Sequence, residues 1–192
     1  MADPLSKLFS SSARVKLLRL FLFNPTQAFT ASEVSERANI SRAEAVRELG
    51  VLHAAGLIHR ALRGRLVRCT LNPAFSHLQA LQNLLLNTPV RVEEIYARLR
   101  RAGSIKLVVA TGVFMNISES PVDLFIVGDR MKDSVLRRSI KLMESELGKE
   151  IRYTLLSTQE FYYRMNMNDH LVRDVLDYPH RILFDRLDIG LE

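Results

Sequence analysis

Eleven cationic side chains stand against five acids in residues 1–90, and nine of the eleven are arginine, whereas residues 91–192 hold sixteen of each sign. The formal net charge of +6 therefore comes entirely from the first half. Arginine presents a planar fork of donors that matches phosphate oxygens and the edge of guanine. Such an imbalance in one half of a chain points to a polyanion partner for that half. Six of these arginines lie in two short stretches, Arg42 and Arg47 in "SRAEAVRE", and Arg60, Arg63, Arg65 and Arg68 in "LIHRALRGRLVRCTLN". A second kind of chemistry is open to "SESPVDLFIVGD", Ser118 to Asp129, where Asp123 opens an apolar run. Acids two apart on a strand share a face and can hold divalent cations together, but one carboxylate alone cannot hold two dications. His53, His59 and His77 are not at metal-ligand spacing, and the single Cys69 has no partner for a disulfide or a cluster. These are expected to be structural or surface residues, and no metal or cofactor is expected.

The elements that must place the arginines follow from local signals. Ser10 to Ser12 can cap a helix running to Phe23, with Val15, Leu17, Leu18, Phe21 and Leu22 as its apolar surface and Asn24-Pro25 as its stop. Thr30 opens a short helix, "ASEVSERA", and Asn39-Ile40 makes a tight turn. Ser41 with Glu44 three residues on is a capping box for the next helix, which buries Val46, Leu49 and Leu52 and closes at Ala55-Gly56. Beyond Gly56 the period changes to two on both sides of "RG", so a β-hairpin with its tip at Arg63-Gly64 is expected, lined by Arg60, Arg63, Arg65 and Arg68.

Helix, turn, helix and hairpin in this order, over residues 5–73, resemble the winged helix-turn-helix domains of bacterial and archaeal regulators. The stretch "AAGLIHRALRGRLVRCTLNP" carries the likeness from the second helix through the wing. The resemblance implies that the N-terminal end of the second helix enters the major groove of duplex DNA. Ser41, Arg42 and Arg47 would then face the groove, with Glu44 and Ala45 beside them, and Arg60, Arg63, Arg65 and Arg68 would lie along phosphates or reach the minor groove. It also implies a homodimer reading two half-sites. Between proline marks, "NPAFSHLQALQNLLLNTP" is expected to form one connector helix over residues 74–89. Its apolar surface, Phe75 through Leu86, could cover the winged helix, pack on the second half or pair with a second copy.

In the second half, helices and strands alternate: a charged helix over 91–101, the strands "IKLVVATG" and "VDLFIVG", the helix "MKDSVLRRSIKLMESELG", the strand "EIRYTLLS", two short helices and the end strand "RILFD". The order over residues 91–186 resembles the minimal nucleotidyltransferase domain. Members with an intact site carry a Gly-Ser turn after the first strand, an Asp-apolar-Asp motif on the next, and often a further acid on the third. Here Gly112 is kept, Val113 replaces the serine, Pro121-Val122-Asp123 replaces the acid pair, and Arg152, Tyr153 and Thr154 occupy the third strand. Glu119, in a loop, and Asp129, at the far end of the strand, are the nearby acids that could substitute by position. The resemblance thus implies a degenerate nucleotidyltransferase site at Gly112 and Asp123, without catalytic residues.

The expected class is a two-domain α+β and α/β protein: a winged helix over 1–73, the connector over 74–89, and a nucleotidyltransferase-like domain over 90–192. The function expected is a DNA-binding transcriptional regulator whose inactive second domain serves dimerisation, a protein partner or a small ligand. Two alternatives stay open: an active nucleotidyltransferase of toxin–antitoxin type with a remodelled metal site, and a winged helix used as a protein-docking scaffold. No apolar run approaches the ~18 residues of a membrane span, and "MADPLSKLFSSS" lacks a secretory pattern. With one cysteine in the chain, a reducing cytoplasm is the expected location.

Overall fold

The computed structural model describes residues 4–86, 92–115, 117, 120–177 and 179–189. They fall into two compact units, Met1–Thr88 with Lys141–Glu150, and Pro89–Ile140 with Ile151–Glu192. The structure is mixed α and β with two separate sheets.

The first unit runs α1 (Pro4–Leu8), α2 (Ser12–Phe23), α3 (Ala31–Ala38), α4 (Arg42–Ala54), β1 (Ile58–Arg63), β2 (Leu66–Leu71) and α5 (Leu78–Leu86). Each helix of the helix-turn-helix starts on a side-chain cap. Ser11 Oγ accepts from the Arg14 N–H, and Thr30 with Glu33 and Ser41 with Glu44 form reciprocal capping boxes. Asn39, at φ 47°, ends α3 in the left-handed conformation that asparagine tolerates, which turns the chain sharply into α4. The core is Leu17, Phe21, Val34, Ala45, Leu49, Leu52, Leu57, Ile58, Cys69 and Leu71. One expected core residue is displaced. Val46 is 52% exposed, because the buried stripe of α4 runs through Ala45, Glu48, Leu49 and Leu52 at helical spacing. The connector helix α5 adds Leu85 to this core, with Phe75, Leu78 and Leu81 packed against it.

Strands β1 and β2 pair antiparallel from Ile58↔Leu71 to Arg63↔Leu66, which leaves Gly64 and Arg65 as a two-residue turn. Gly64 has φ +63°, as the tight hairpin turns matched to strand twist require. The tip is thus one residue later than the alternation suggests. An isolated bridge between Phe29 and Cys69 ties the chain ahead of α3 to the outer side of β2.

The second unit contains α6 (Val92–Leu99), β3 (Ser104–Ala110), a 3₁₀ turn over Gly112–Met115, β4 (Leu124–Asp129), β5 (Tyr153–Leu156), α8 (Thr158–Asn166), α9 (His170–Asp177) and β6 (Arg181–Asp185). The helix α7 (Asp133–Leu147) begins in this unit, and its final turns belong to the first. The sheet order is β5-β4-β3-β6, with only β4 and β5 parallel. Leu107, Val109, Phe125 and Val127 share one face and pack with Phe161, Val172 and Val175 of α8 and α9. Val108, Leu124 and Ile126, on the alternate positions, are also fully buried, so the central strands read as continuous apolar runs. No helix among the described residues is long and apolar enough to cross a membrane.

Candidate nucleic-acid interface and the Asp123 carboxylate

The arginines of the first unit separate into free and engaged side chains. Arg42 lies at the start of α4 and is exposed, as are Arg63 and Arg65 at the hairpin tip. None of the three has a hydrogen bond or ion pair among the described residues. Arg47 is 65% exposed and lies 3.6 Å from Glu48. Arg68 is occupied: its Nη1 donates to the Ala28 carbonyl at 3.1 Å and sits 3.9 Å from Glu33. Arg60 is exposed and stands opposite Cys69 in the ladder. Burial pushes the Cys69 thiol above its ordinary range, and Arg60 opposes that only in part.

The ladder register also divides the hairpin by face. Arg63 and Arg68 stand on one face with His59 and Leu66, while Arg60 stands on the other with Leu62, Val67 and Cys69. The four arginines expected to line the hairpin all lie on it, at its tip or on one face or the other. Arg63 and Arg65 at the tip remain available for phosphate, and Arg68 serves the fold. Ser41 is exposed, but its hydroxyl is committed to α4, accepting from the Glu44 N–H and donating to Glu44 Oε2. Those bonds hold the Glu44 carboxyl below the usual carboxylate range.

What fixes α4 is a residue the sequence reading passed over. The Glu48 side chain, 2% exposed, accepts from Ser11 Oγ at 3.0 Å and from Arg14 Nε at 2.9 Å. Arg14 Nη1 in turn donates to the Phe9 carbonyl at 3.1 Å. A buried, paired carboxylate thus joins α4 to the start of α2. The signal was present in the sequence: an acid on the 45–49–52 face must bury its charge and needs a cation beside it.

At the second candidate site, Asp123 is fully engaged. Its side chain, 2% exposed, accepts from the Val113 N–H at 2.8 Å, the Arg152 N–H at 2.9 Å, Arg152 Nη2 at 2.9 Å and Arg152 Nε at 3.1 Å. Burial pushes the carboxyl up, but the Arg152 side-chain bonds and the two backbone donors outweigh it and hold the group below its ordinary value. Gly112 exists to let this happen. It has φ +52°, and a Cβ there would run into Asp123 Oδ1 and lie 2.9 Å from the Val122 carbonyl. The turn after β3 is therefore wrapped on the carboxylate itself.

A divalent cation does not fit this donor set. Both Asp123 oxygens are taken by N–H donors, and the guanidinium of Arg152 stands where positive metal charge would be needed. Asp129 accepts from the Thr158 N–H at 3.0 Å and from Thr158 Oγ1 at 2.7 Å, at the other end of β4. Glu119 lies outside the described residues. Among the described residues no three His, Cys, Asp or Glu side chains group as metal ligands.

No family model matches the chain, and no curated protein matches it. Two solved structures are similar in part. Reduced HlyU from Vibrio cholerae N16961 is 22% identical, covers 42% of this chain and 83% of its own, and has a TM-score of 0.33. The transcriptional regulator BldR from Sulfolobus solfataricus is 19% identical, with 50% of this chain and 76% of its own covered and a TM-score of 0.36.

Proposed function

We propose that this chain is a DNA-binding transcriptional regulator, reading duplex DNA with α4 and the β1–β2 hairpin of its first unit. The supporting observation is the placement of the arginines: Arg42, Arg63 and Arg65 stand exposed and unengaged at the helix start and the hairpin tip, while Arg68 is bound within the fold. In this reading the start of α4 enters the major groove, and the hairpin tip follows the adjacent backbone. Arg42 contributes to sequence preference, whereas Arg63 and Arg65 contribute position and salt-dependent affinity.

The second unit, in this proposal, has the outline of a nucleotidyltransferase without its chemistry. The parallel β4–β5 pair beside an antiparallel β3–β4 pair supports the outline, and the Arg152–Asp123 pair supports the loss. Its role is binding rather than group transfer. Transfer of labelled nucleotide from any triphosphate, abolished by Asp123→Ala, would overturn that part.

The deciding experiment is anisotropy of a labelled duplex across a salt series. Arg63→Ala with Arg65→Ala weakens binding to all duplexes alike and lowers the salt slope by up to about 2, at roughly one counterion per phosphate contact. Unchanged affinity and slope would place the DNA elsewhere or remove it, and the docking-scaffold alternative would replace this reading.

A further inference from the structure

Residues 91–192 are electrically neutral as a sequence, but their charges are not evenly placed. Two stretches, 98–106 and 129–133, together hold six cations and two acids. The fold brings them side by side. Ser104 pairs with Asp129 in the β3–β4 ladder, and the Lys132 N–H donates to the Ala102 carbonyl at 2.6 Å. Gly103 is a close backbone contact: a Cβ there would lie 2.6 Å from Met131 Sδ and 2.9 Å from Met131 Cα.

The charges at this junction are largely uncompensated. Arg98 pairs with Glu94, Asp133 pairs with Arg137, and Asp129 is bound to Thr158 with Lys106 and Arg130 near it. That leaves Arg100, Arg101, Arg130 and Lys132, all exposed and without an ion pair among the described residues. Arg130 is moreover held at φ +52°. A left-handed arginine is uncommon and strained, and it persists only where the surroundings enforce it. Four exposed cations are thus carried on two adjoining loops. A polyanion that spans them would release its own condensed counterions.

We propose that this junction is a second phosphate-backbone contact, made by Arg100, Arg101, Arg130 and Lys132 on the same duplex DNA that the first unit binds. The inference rests on the reading of the chain as a duplex-binding protein. Two contacts on one chain act at high effective concentration, so the second raises affinity without reading sequence.

The test uses the full chain carrying Arg100→Gln, Arg101→Gln, Arg130→Asn and Lys132→Gln, with asparagine at 130 because it tolerates the left-handed conformation. Circular dichroism and thermal melting check that the fold is kept, and single substitutions replace the set if it is not. Anisotropy against one duplex across a salt series is compared for wild type, this variant and the hairpin-tip variant. The expected result is a salt slope lower by up to about 3.6, at about 0.9 per phosphate contact, with preference among sequences unchanged. A wild-type slope with this variant overturns the second contact and leaves the DNA reading standing. A wild type that binds no duplex at low salt overturns both. Tighter binding to single-stranded RNA, lost on the same substitutions, overturns the assignment to duplex DNA.

Discussion

Replacing Arg152 by leucine tests the claim that a guanidinium, rather than the backbone alone, keeps Asp123 charged and buried. Leucine retains the backbone N–H bonded to Asp123, and the Val113 N–H is untouched. The two side-chain bonds and the counter-charge disappear. Breaking a buried pair from one side costs about 3–5 kcal/mol. The Arg152 side chain is 50% exposed, so water takes over part of its role and the cost falls to about 2–3 kcal/mol. At about 1.4 kcal/mol per factor of ten, amides of β4 and β5 should exchange hydrogen about 30- to 140-fold faster. Site-resolved exchange suits a two-unit chain, for which a single unfolding free energy is poorly defined.

The pH dependence supplies a second readout. In the wild type the Asp123 carboxyl is depressed, so its stabilising contribution is complete above the unfolded value of about 3.9 and is lost as pH falls through the lower folded value. Without Arg152, burial prevails and the carboxyl shifts upward, which destabilises the neutral-pH fold. The deficit of the variant, corrected for intrinsic exchange, should therefore shrink as pH falls from 7 toward 4. A change below about threefold, or a deficit that ignores pH, would refute the reasoning. Adding Asp123→Asn should recover part of the loss, since it removes the charge left unpaired.

Gly112→Ala should destabilise the second unit by about 2 kcal/mol or more, since left-handed strain adds to the overlap with Asp123; the same β4 amides report it. Glu48→Ala should cost about 3 kcal/mol in the first unit, measured by exchange of α4 amides, and should weaken duplex binding although Glu48 is buried. Arg42→Ala should alter preference among duplex sequences in competition anisotropy while changing the salt slope by no more than about 1.

Element by element, much of the fold was legible because its boundaries rest on local chemistry. Capping at Thr30 and Ser41, the left-handed Asn39 and the glycine of the hairpin turn are short-range signals, and α3 and α4 sit where those signals put them, with the hairpin tip one residue later. Val46 went astray because apolar type was read ahead of helical phase. Position 45 faces the core, and 46 is turned about a hundred degrees away. The hairpin arginines looked equivalent in sequence because charge carries no register. The spacing of three already puts Arg60 and Arg63 on opposite faces of their strand, but only the pairing of Ala61 with Arg68 shows that Arg68 shares the face of Arg63. The Arg152–Asp123 pair spans 29 residues, and the Glu48–Arg14 pair spans 34. The type of residue at each position was readable, but the partnership depends on how strands and helices are packed.

The lone thiol at Cys69 provides the chain with an internal clock. It is 1% exposed, it lies on β2 facing Arg60 and bridged through its backbone to Phe29, and burial disfavours its reactive thiolate. An alkylating reagent therefore reaches it only when the hairpin and the segment before α3 come apart together. With one cysteine in 192 residues, the mass shift of a whole molecule counts those openings with no engineered label. A duplex that binds only the closed form slows the clock by the ratio of its concentration to its Kd, about a hundredfold at a hundred times Kd. The residue with no chemistry of its own in this chain thus times how often the arginine-bearing hairpin leaves its place.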